Sequence, residues 1–203
     1  MPPLESPITL LVIVAVGAYL LGSIPFGLLI TRLFGLGDIR KIGSGNIGAT
    51  NVLRTGSKAA ALATVLLDAG KGLVAVLFAG AYIGSDAAQV AAMCAFLGHL
   101  FPVWLGFKGG KGVATLLGVL IGLAPLVGLI ALGAWLFTFF VYRISSLAAL
   151  VAAVLTPAVT FIVGFKDMSL LILIMAALLI WKHRGNIRRL IDGTEPMTSL
   201  SRK

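Results

Sequence analysis

The chain has 203 residues, of which 59% are hydrophobic and 11% are charged, and its formal net charge is +9. A soluble domain carries about 25% charged residues. This composition and a mean hydropathy of +1.08 exclude an ordinary soluble enzyme and predict an all-α polytopic membrane protein. In a membrane protein, lysines and arginines mainly mark the loops that face the cytoplasm. We therefore do not attribute the positive charge to nucleic-acid binding and predict no nucleic-acid partner.

Seven apolar segments follow one another along the chain. A spanning helix needs about 20 apolar residues, and the uncharged stretch 112–142 is long for one crossing and short for two. We expect it to fold back near Gly122 and Pro125, which leaves a short fourth helix. The seven predicted transmembrane helices are residues 7–31, 57–83, 87–101, 111–122, 124–142, 145–164 and 168–183.

The lysines and arginines orient these helices. With seven crossings and the N-terminus outside, every cation except Lys71, within a span, and Lys166, outside, faces the cytoplasm. A single crossing over 112–142 would place Arg143 and the tail cations outside, against the positive-inside rule. We therefore predict one integral-membrane domain over residues 1–203 with a cytoplasmic C-terminus. The polar segments expected to converge on one cytoplasmic site are residues 35–56, 102–111, 143–146 and 182–196.

The first polar loop, residues 43–54, reads Gly-Ser-Gly-Asn-Ile-Gly-Ala-Thr-Asn-Val-Leu-Arg. Glycines let backbone N–H groups turn toward a ligand, hydroxyl and amide groups add donors, and an arginine suits a phosphate. A plain surface turn is the alternative, but this concentration of small polar residues between apolar segments favours a phosphate site. The candidate residues are Ser44, Gly45, Asn46, Thr50, Asn51 and Arg54.

Asp68 and Lys71 are ionisable residues within the second predicted span. Charges inside a span are costly and are functional candidates by default, although residues one turn apart can neutralise each other. A structural ion pair and a direct substrate role both stay open. We place the two residues in a supporting group with His99, for which a structural hydrogen bond is an equally good explanation.

A second motif joins Gly98-His99-Leu100-Phe101-Pro102 to Lys108-Gly109-Gly110-Lys111-Gly112. Pro102 should end the third helix, and the lysine–glycine run then opens the fourth, whose N-terminus is an anion site. The spacing of a P-loop is absent. Anchoring of lysines at the membrane surface is the alternative, but the interleaved glycines favour phosphate binding. The candidate residues are Lys108, Gly109, Gly110 and Lys111.

Two further polar segments follow the fifth and seventh predicted helices. Ser145 and Ser146 begin a helix, where a serine is most often an N-cap but can still contact a ligand phosphate. His183 and Asn186 lie three residues apart and share one face if the last helix continues, so we predict both as site residues. The arginines that follow, Arg188 and Arg189, are assigned to binding anionic lipid.

The motifs at residues 43–54, 98–115 and 182–190 resemble those of the bacterial acyl-phosphate-dependent glycerol-3-phosphate acyltransferases, the PlsY family. The resemblance covers essentially the whole chain. It implies acyl transfer from acyl phosphate to the sn-1 hydroxyl of glycerol 3-phosphate, giving lysophosphatidic acid and phosphate, the first acylation of phospholipid synthesis. It further implies no cofactor or metal, and functional coupling to an enzyme that makes acyl phosphate. The expected location is the bacterial cytoplasmic membrane, with the active site facing the cytoplasm.

If the chain has the mechanism of this family, we predict Arg54, Lys108, His183 and Asn186 as the catalytic residues. The other candidates outside the supporting group are predicted phosphate ligands. Whether His183 or a substrate phosphate oxygen acts as the base stays open. One rival function is a transporter for a phosphorylated solute, which predicts inverted repeats that the sequence lacks. Another is a non-catalytic lipid-binding module, which predicts basic tails without glycine-rich loops.

Overall fold

The structure is a computed structural model that describes residues 5–198. All regular secondary structure within these residues is helical. They form two compact units, one ending at Leu123 and the other beginning at Ala124. Arg202 and Lys203, two of the cations assigned to the cytoplasmic side, and both ends of the predicted 1–203 domain lie outside the described residues.

The first unit is built around a long helix, α4 (Lys58–Tyr82), which packs against five other helices. Its contacts with α1 and α5 bury small side chains such as Ala18, Ala79 and Ala91, as expected where membrane helices approach closely. A Cβ atom on Gly22 would overlap the backbone of Ala95 on α5. The helices described in this unit are α1 (Ile8–Gly22), α2 (Phe26–Leu33), α3 (Ala49–Leu53), α4 (Lys58–Tyr82), α5 (Ser85–Leu100) and α6 (Val113–Leu123).

In the second unit α8 contacts both α7 and α9, and α10 contacts α9. A bend of 60° separates α9 from α10. Large apolar side chains such as Phe137, Val154 and Leu173 are exposed, which suits helices that face lipid. The helices described here are α7 (Pro125–Tyr142), α8 (Ser145–Ile162), α9 (Lys166–Lys182) and α10 (Arg184–Ile191).

All seven predicted apolar segments are helical, so the prediction of an all-helical membrane fold is confirmed. Within residues 5–198, five spans are long and apolar enough to cross a membrane, or six if the bent pair α9–α10 is counted as one span. The predicted fourth helix is indeed short: α6 has 11 residues, about 16 Å of helix against about 30 Å of hydrocarbon. The count of seven crossings and their orientation stay predictions.

The first predicted segment differs from the prediction because it is broken into α1 and α2. Pro25 lacks a backbone N–H and restricts the residue before it, so the helix cannot run unchanged through Ile24. At the break the carbonyl of Ile24 accepts from the Phe26 N–H over 3.1 Å and from Lys71 Nζ on α4 over 2.8 Å. The interrupted helix thus provides an acceptor for a buried cation.

Candidate active site

The buried side chain of Asn51 organises the first polar loop. Its Nδ2 donates to the carbonyls of Ile39 and Asn46 over 2.7 and 2.8 Å. Its Oδ1 accepts from the Ser44 N–H over 3.3 Å and from Arg54 Nη1 over 3.4 Å. Only 2% of Asn51 is exposed. The network therefore fits a positioning role for Asn51 better than the predicted role of phosphate ligand.

Ser44 and Arg54 are the exposed polar side chains that this network holds. Gly43 and Gly45 have φ values of 52° and 68°, a region that glycine adopts at little cost. A Cβ atom on Gly43 would overlap the Arg54 guanidinium and the Asn51 amide. Glycine at this position therefore lets the cation lie directly against the loop.

The other two predicted ligands of this loop are less exposed. Thr50 is half-buried in the first turn of α3, a short helix that we did not predict. Asn46 is also half-buried, its N–H donates to Ser44 Oγ over 3.4 Å, and its carbonyl is one of the Asn51 partners. The loop is therefore more folded than the sequence suggests, because its amides bond within it.

The second motif lies against the end of α5. The N–H groups of Gly109 and Gly110 donate to the carbonyls of Leu100 and His99 over 3.3 and 3.0 Å. These two N–H groups thus have protein partners. Glycine is required here because the loop lies very close to the end of α5. A Cβ atom on Gly110 would overlap the His99 imidazole. Lys108, which is exposed, precedes this glycine pair, and half-buried Lys111 follows it before α6 begins.

Asp68 and Lys71 form the ion pair that their spacing predicts. Lys71 Nζ donates to Asp68 Oδ1 over 2.7 Å, and both side chains are almost fully buried. His99 Nδ1 lies 3.6 Å from the same carboxylate oxygen. The ion pair itself lies within α4, and His99 on α5 and the Ile24 carbonyl join it to neighbouring segments, so the supporting group is one buried cluster.

In the second unit, Glu195 gathers three side chains that the sequence separates. Ser146 Oγ donates to Glu195 Oε1 over 2.6 Å, and Asn186 Nδ2 donates to the same oxygen. Arg189 Nε donates to Oε2 over 2.7 Å. Sequence reasoning missed Glu195, whose only signal was its place, with Asp192, just beyond a basic helix. It brings together two of the predicted site residues, Ser146 and Asn186.

Neither serine is the N-cap of α8, the alternative to the predicted contact with a phosphate. The N-cap residue of α8 is Ile144, and no side chain caps this end of the helix. Ser145 and Ser146 lie within the first turn instead, and the Ser146 hydroxyl is directed to Glu195. A hydroxyl that donates to a carboxylate can still accept a bond, so this contact is compatible with a ligand.

His183 lies at the bend between α9 and α10, which is where the predicted helix over residues 168–183 ends, and the chain does not continue as one straight helix. Gly185 follows the break, and glycine disfavours an uninterrupted helix. The imidazole is 2% exposed, and its Nδ1 lies 2.8 Å from the Leu179 carbonyl. Because a carbonyl only accepts, Nδ1 carries the proton, and Nε2 is the basic nitrogen of the neutral ring. The Asn186 N–H donates to the His183 carbonyl over 2.8 Å, which ties the two predicted residues together.

The basic residues of α10 have different environments. The Arg189 guanidinium has a protein partner in Glu195, which gives it a role within the fold besides the predicted contact with lipid. Arg188 is largely exposed and its Nε lies 4.0 Å from Asp192, and its contact with lipid stays a prediction. Arg184 stacks over the Trp181 ring at 4.7 Å, an arrangement suited to a membrane interface.

The predicted site residues thus form two sets. The first unit holds the loop around Asn51, the Lys108–Lys111 loop and the buried Asp68 cluster, and the second holds Ser145, Ser146, His183 and Asn186. Within residues 5–198, no group of three or more His, Cys, Asp or Glu side chains is placed to hold a metal ion.

Glu195 makes a pH-dependent contribution to the stability of this unit. Burial alone would raise the pKa of Glu195, but hydrogen bonds from Ser146, Asn186 and Arg189 outweigh it and hold the pKa below the ordinary value of 4.5. A carboxyl with a lowered folded pKa stabilises the protein above its unfolded pKa, and this stabilisation is lost as the pH falls through the folded pKa.

We therefore expect Glu195→Gln to lower the melting temperature of the detergent-purified protein at neutral pH. Loss of hydrogen bonds to a buried charge costs about 1–3 kcal/mol. The difference between the two proteins should shrink as the pH drops below 4.5 and the native carboxyl becomes protonated. Equal melting temperatures at neutral pH would contradict this assignment, and Asp192→Asn is the exposed matched control.

Comparison with known proteins supports one family for the whole chain. Residues 12–193 match the family model described as glycerol-3-phosphate acyltransferase. A protein of that name from Cereibacter sphaeroides (strain ATCC 17025) is 60% identical over 196 residues, which cover 97% of this chain and 93% of that protein. Another from Jannaschia sp. (strain CCS1) is 57% identical, with 96% of each chain covered.

Two crystal structures have the same fold. Both are of PlsY (YgiH), an integral membrane glycerol 3-phosphate acyltransferase. Its glycerol 3-phosphate form superposes with a TM-score of 0.88 at 39% identity, covering 93% of this chain and 96% of that one. Its lysophosphatidic acid form gives a TM-score of 0.86 at 39% identity, covering 92% and 94%.

Proposed function

The chain belongs to the glycerol-3-phosphate acyltransferase family, and we propose that it acylates the sn-1 hydroxyl of glycerol 3-phosphate with acyl phosphate as donor. The products are lysophosphatidic acid and inorganic phosphate. The observation that carries the proposal is the similarity, over 93% of the chain, to the glycerol 3-phosphate form of PlsY. The reaction is the first acylation of phospholipid synthesis.

The chemistry of acyl phosphate explains the kind of residues that the motifs contain. Acyl phosphate is a mixed anhydride, so its phosphate is already a good leaving group. The substrate hydroxyl forms the ester bond to the acyl carbon, the bond from that carbon to the phosphate oxygen breaks, and a base takes the hydroxyl proton. The protein must mainly hold two anionic substrates close together and stabilise the oxyanion.

The first unit supplies cations for this task. In our proposal Arg54 and Ser44 bind one phosphate, supported by Gly45, Asn46 and Thr50 and positioned by Asn51. Lys108 and Lys111 bind the other phosphate and offset the repulsion between the substrates. Gly109 and Gly110 let this loop pack against α5, and the lysine charges provide the attraction.

The second unit supplies directional hydrogen bonds. His183 and Asn186 orient glycerol 3-phosphate, while Ser145 and Ser146 contact the acyl phosphate. Glu195 fixes the Asn186 amide and the Ser146 hydroxyl by accepting from both. The Leu179 carbonyl fixes the His183 tautomer so that Nε2 is the basic nitrogen of the ring.

A His183→Gln variant separates the two candidate bases. If His183 Nε2 takes the hydroxyl proton, kcat should fall by about 10²–10⁴-fold, the usual contribution of a general base. If a substrate phosphate oxygen is the base, kcat should stay close to that of the unchanged protein. The measurement is kcat at saturating substrates, with melting temperature recorded to verify that the buried glutamine is tolerated.

We also propose how the chain lies in the membrane. It forms one integral-membrane domain with seven transmembrane helices, its N-terminus outside and its C-terminus in the cytoplasm. The positive-inside rule supports this orientation. The active site then faces the cytoplasm from the bacterial inner membrane, where an enzyme that makes acyl phosphate can supply the donor.

An acyl-transfer assay tests the proposed function. The purified protein is mixed with labelled glycerol 3-phosphate and either acyl phosphate or, as the control donor, acyl-CoA. Labelled lysophosphatidic acid should form with acyl phosphate only. Product from acyl-CoA would contradict the proposed donor. Uptake of glycerol 3-phosphate into proteoliposomes without any acyl transfer would instead identify the protein as a transporter.

A further inference from the structure

A buried polar chain runs from the break between α1 and α2 to the Lys108–Lys111 loop. We propose that Asp68 and His99 are positioning residues for this loop, acting on substrate binding through the glycine pair and without touching substrate. The inference rests on the proposed phosphate-binding role of Lys108 and Lys111. It assigns a task to a buried ion pair that the reaction itself does not use.

The first link joins His99 to the loop. The His99 carbonyl accepts from the Gly110 N–H over 3.0 Å. The His99 ring lies so close to Gly110 that a Cβ atom there would overlap Nε2. The glycine pair has no side chains with which to hold its own shape. The His99 main chain and ring, together with the Leu100 carbonyl that accepts from Gly109, therefore help to determine where the loop runs.

The second link joins His99 to the ion pair. His99 is only 5% exposed, and its Nδ1 lies 3.6 Å from Asp68 Oδ1. The same oxygen accepts from Lys71 Nζ, which also donates to the Ile24 carbonyl. The Asp68 carboxylate is thus held in place by α4 and by the break between α1 and α2, and the imidazole faces a fixed acceptor.

The direction of this chain distinguishes positioning from simple stabilisation. An ion pair needed only for packing would affect the fraction of folded protein and leave the affinity of the folded molecules unchanged. If the pair orients His99, losing it changes the position of Gly110. The spacing of Lys108 and Lys111 then changes as well. Its loss should therefore raise KM for the substrate whose phosphate the two lysines bind.

Kinetics of Asp68→Asn and His99→Gln test this inference. We expect each variant to raise KM for one substrate by about tenfold, since members of one hydrogen-bond network couple at this level. The affected substrate should be the one whose KM rises in Lys108→Ala, and kcat should change much less. Because Asp68→Asn leaves Lys71 as an unpaired buried charge, Asp68→Asn combined with Lys71→Met is measured as well and should show the same rise.

Asp86→Asn is the matched control. Asp86 is a buried aspartate at the opposite end of α5 that accepts from the Ser6 N–H and hydroxyl. Its loss should lower the melting temperature without changing either KM. A KM rise in Asp86→Asn equal to that in Asp68→Asn would mean general loosening and would overturn the inference.

A double-mutant cycle separates this inference from the proposed function. Asp68→Asn should add little to the KM effect of Lys108→Ala, because both changes act on the same loop. Fully multiplicative effects would overturn the positioning role while leaving the phosphate role of Lys108 intact. If Lys108→Ala alters neither KM nor kcat, the phosphate role of the loop fails, and the inference fails with it.

Discussion

Replacement of Lys108 by alanine is expected to lower kcat/KM by about 10²–10³-fold, the typical cost of removing one donor from a site that stabilises developing charge. Lys108 is exposed beside a glycine pair whose N–H groups have protein partners. In the proposed site the lysine ammonium must therefore supply much of the attraction for phosphate. The measurement is initial rate against each substrate concentration, with the other substrate saturating.

Lys58→Ala is the control for this experiment. Lys58 is an exposed lysine of the same unit at the start of α4, outside the three motifs. It should retain nearly full activity, which separates a specific phosphate contact from the general positive charge of the protein. A Lys108→Ala protein whose kcat/KM stays within a few-fold of the original would remove Lys108 from the proposed site.

Replacement of Arg54 by alanine is expected to have an effect of similar size, about 10²–10³-fold on kcat/KM. The guanidinium is held against the loop by Asn51 and fits closely over Gly43. Arginine binds phosphate through two parallel hydrogen bonds, and lysine offers only a compact charge. Arg54→Lys should therefore recover part of the lost activity.

The matched control is Arg40→Ala. Arg40 is exposed just before the loop and pairs with Asp38 over 2.6 Å, and this pairing helps to lower the Asp38 pKa to about 2. Exposed pairs of this kind contribute little to stability, so activity should be almost unchanged. Equal losses in Arg40→Ala and Arg54→Ala would mean that the loop needs positive charge without needing an arginine at residue 54.

The helices could be predicted from the sequence because lipid imposes a strong constraint on composition. A run of apolar residues bounded by charge is sufficient to place a helix to within a few residues, as α4 and α8 illustrate. The break at Ala124 was also predictable, since Pro125 begins a new helix there. The break at Ile24 was not predicted, although Pro25 is the same kind of signal within an otherwise uniform apolar run.

The site was predicted less completely because sequence patterns do not show where hydrogen bonds go. Asn51 and Ser44 were both predicted as ligands from composition. In the structure Asn51 is buried and accepts from the Ser44 N–H, so it holds Ser44 in place. The N–H groups of Gly109 and Gly110 were predicted to bind phosphate, but they bond to carbonyls at the end of α5. Such assignments depend on contacts between segments, which composition alone does not give.

Glu195 is a residue that the sequence did not predict at all, again because its role depends on contacts between segments. It is not part of any glycine-rich or basic motif, and the sequence places it nine residues after Asn186 and 49 after Ser146. Only the bend at His183 and the turn beyond α10 bring Glu195 into contact with both Asn186 and Ser146. Acids following a basic helix are the pattern that would have pointed to it, although Asp192 fits that pattern as well.

Sidedness labelling tests most directly whether the motifs of both units face the cytoplasm, the central claim of this account. Single cysteines are placed at exposed positions by Lys58→Cys, Gly185→Cys and Lys166→Cys in a Cys94→Ala background. A membrane-impermeant maleimide should label residues 58 and 185 only from the cytoplasmic face and residue 166 only from the other face. Labelling of residues 58 and 185 from opposite faces would contradict the account.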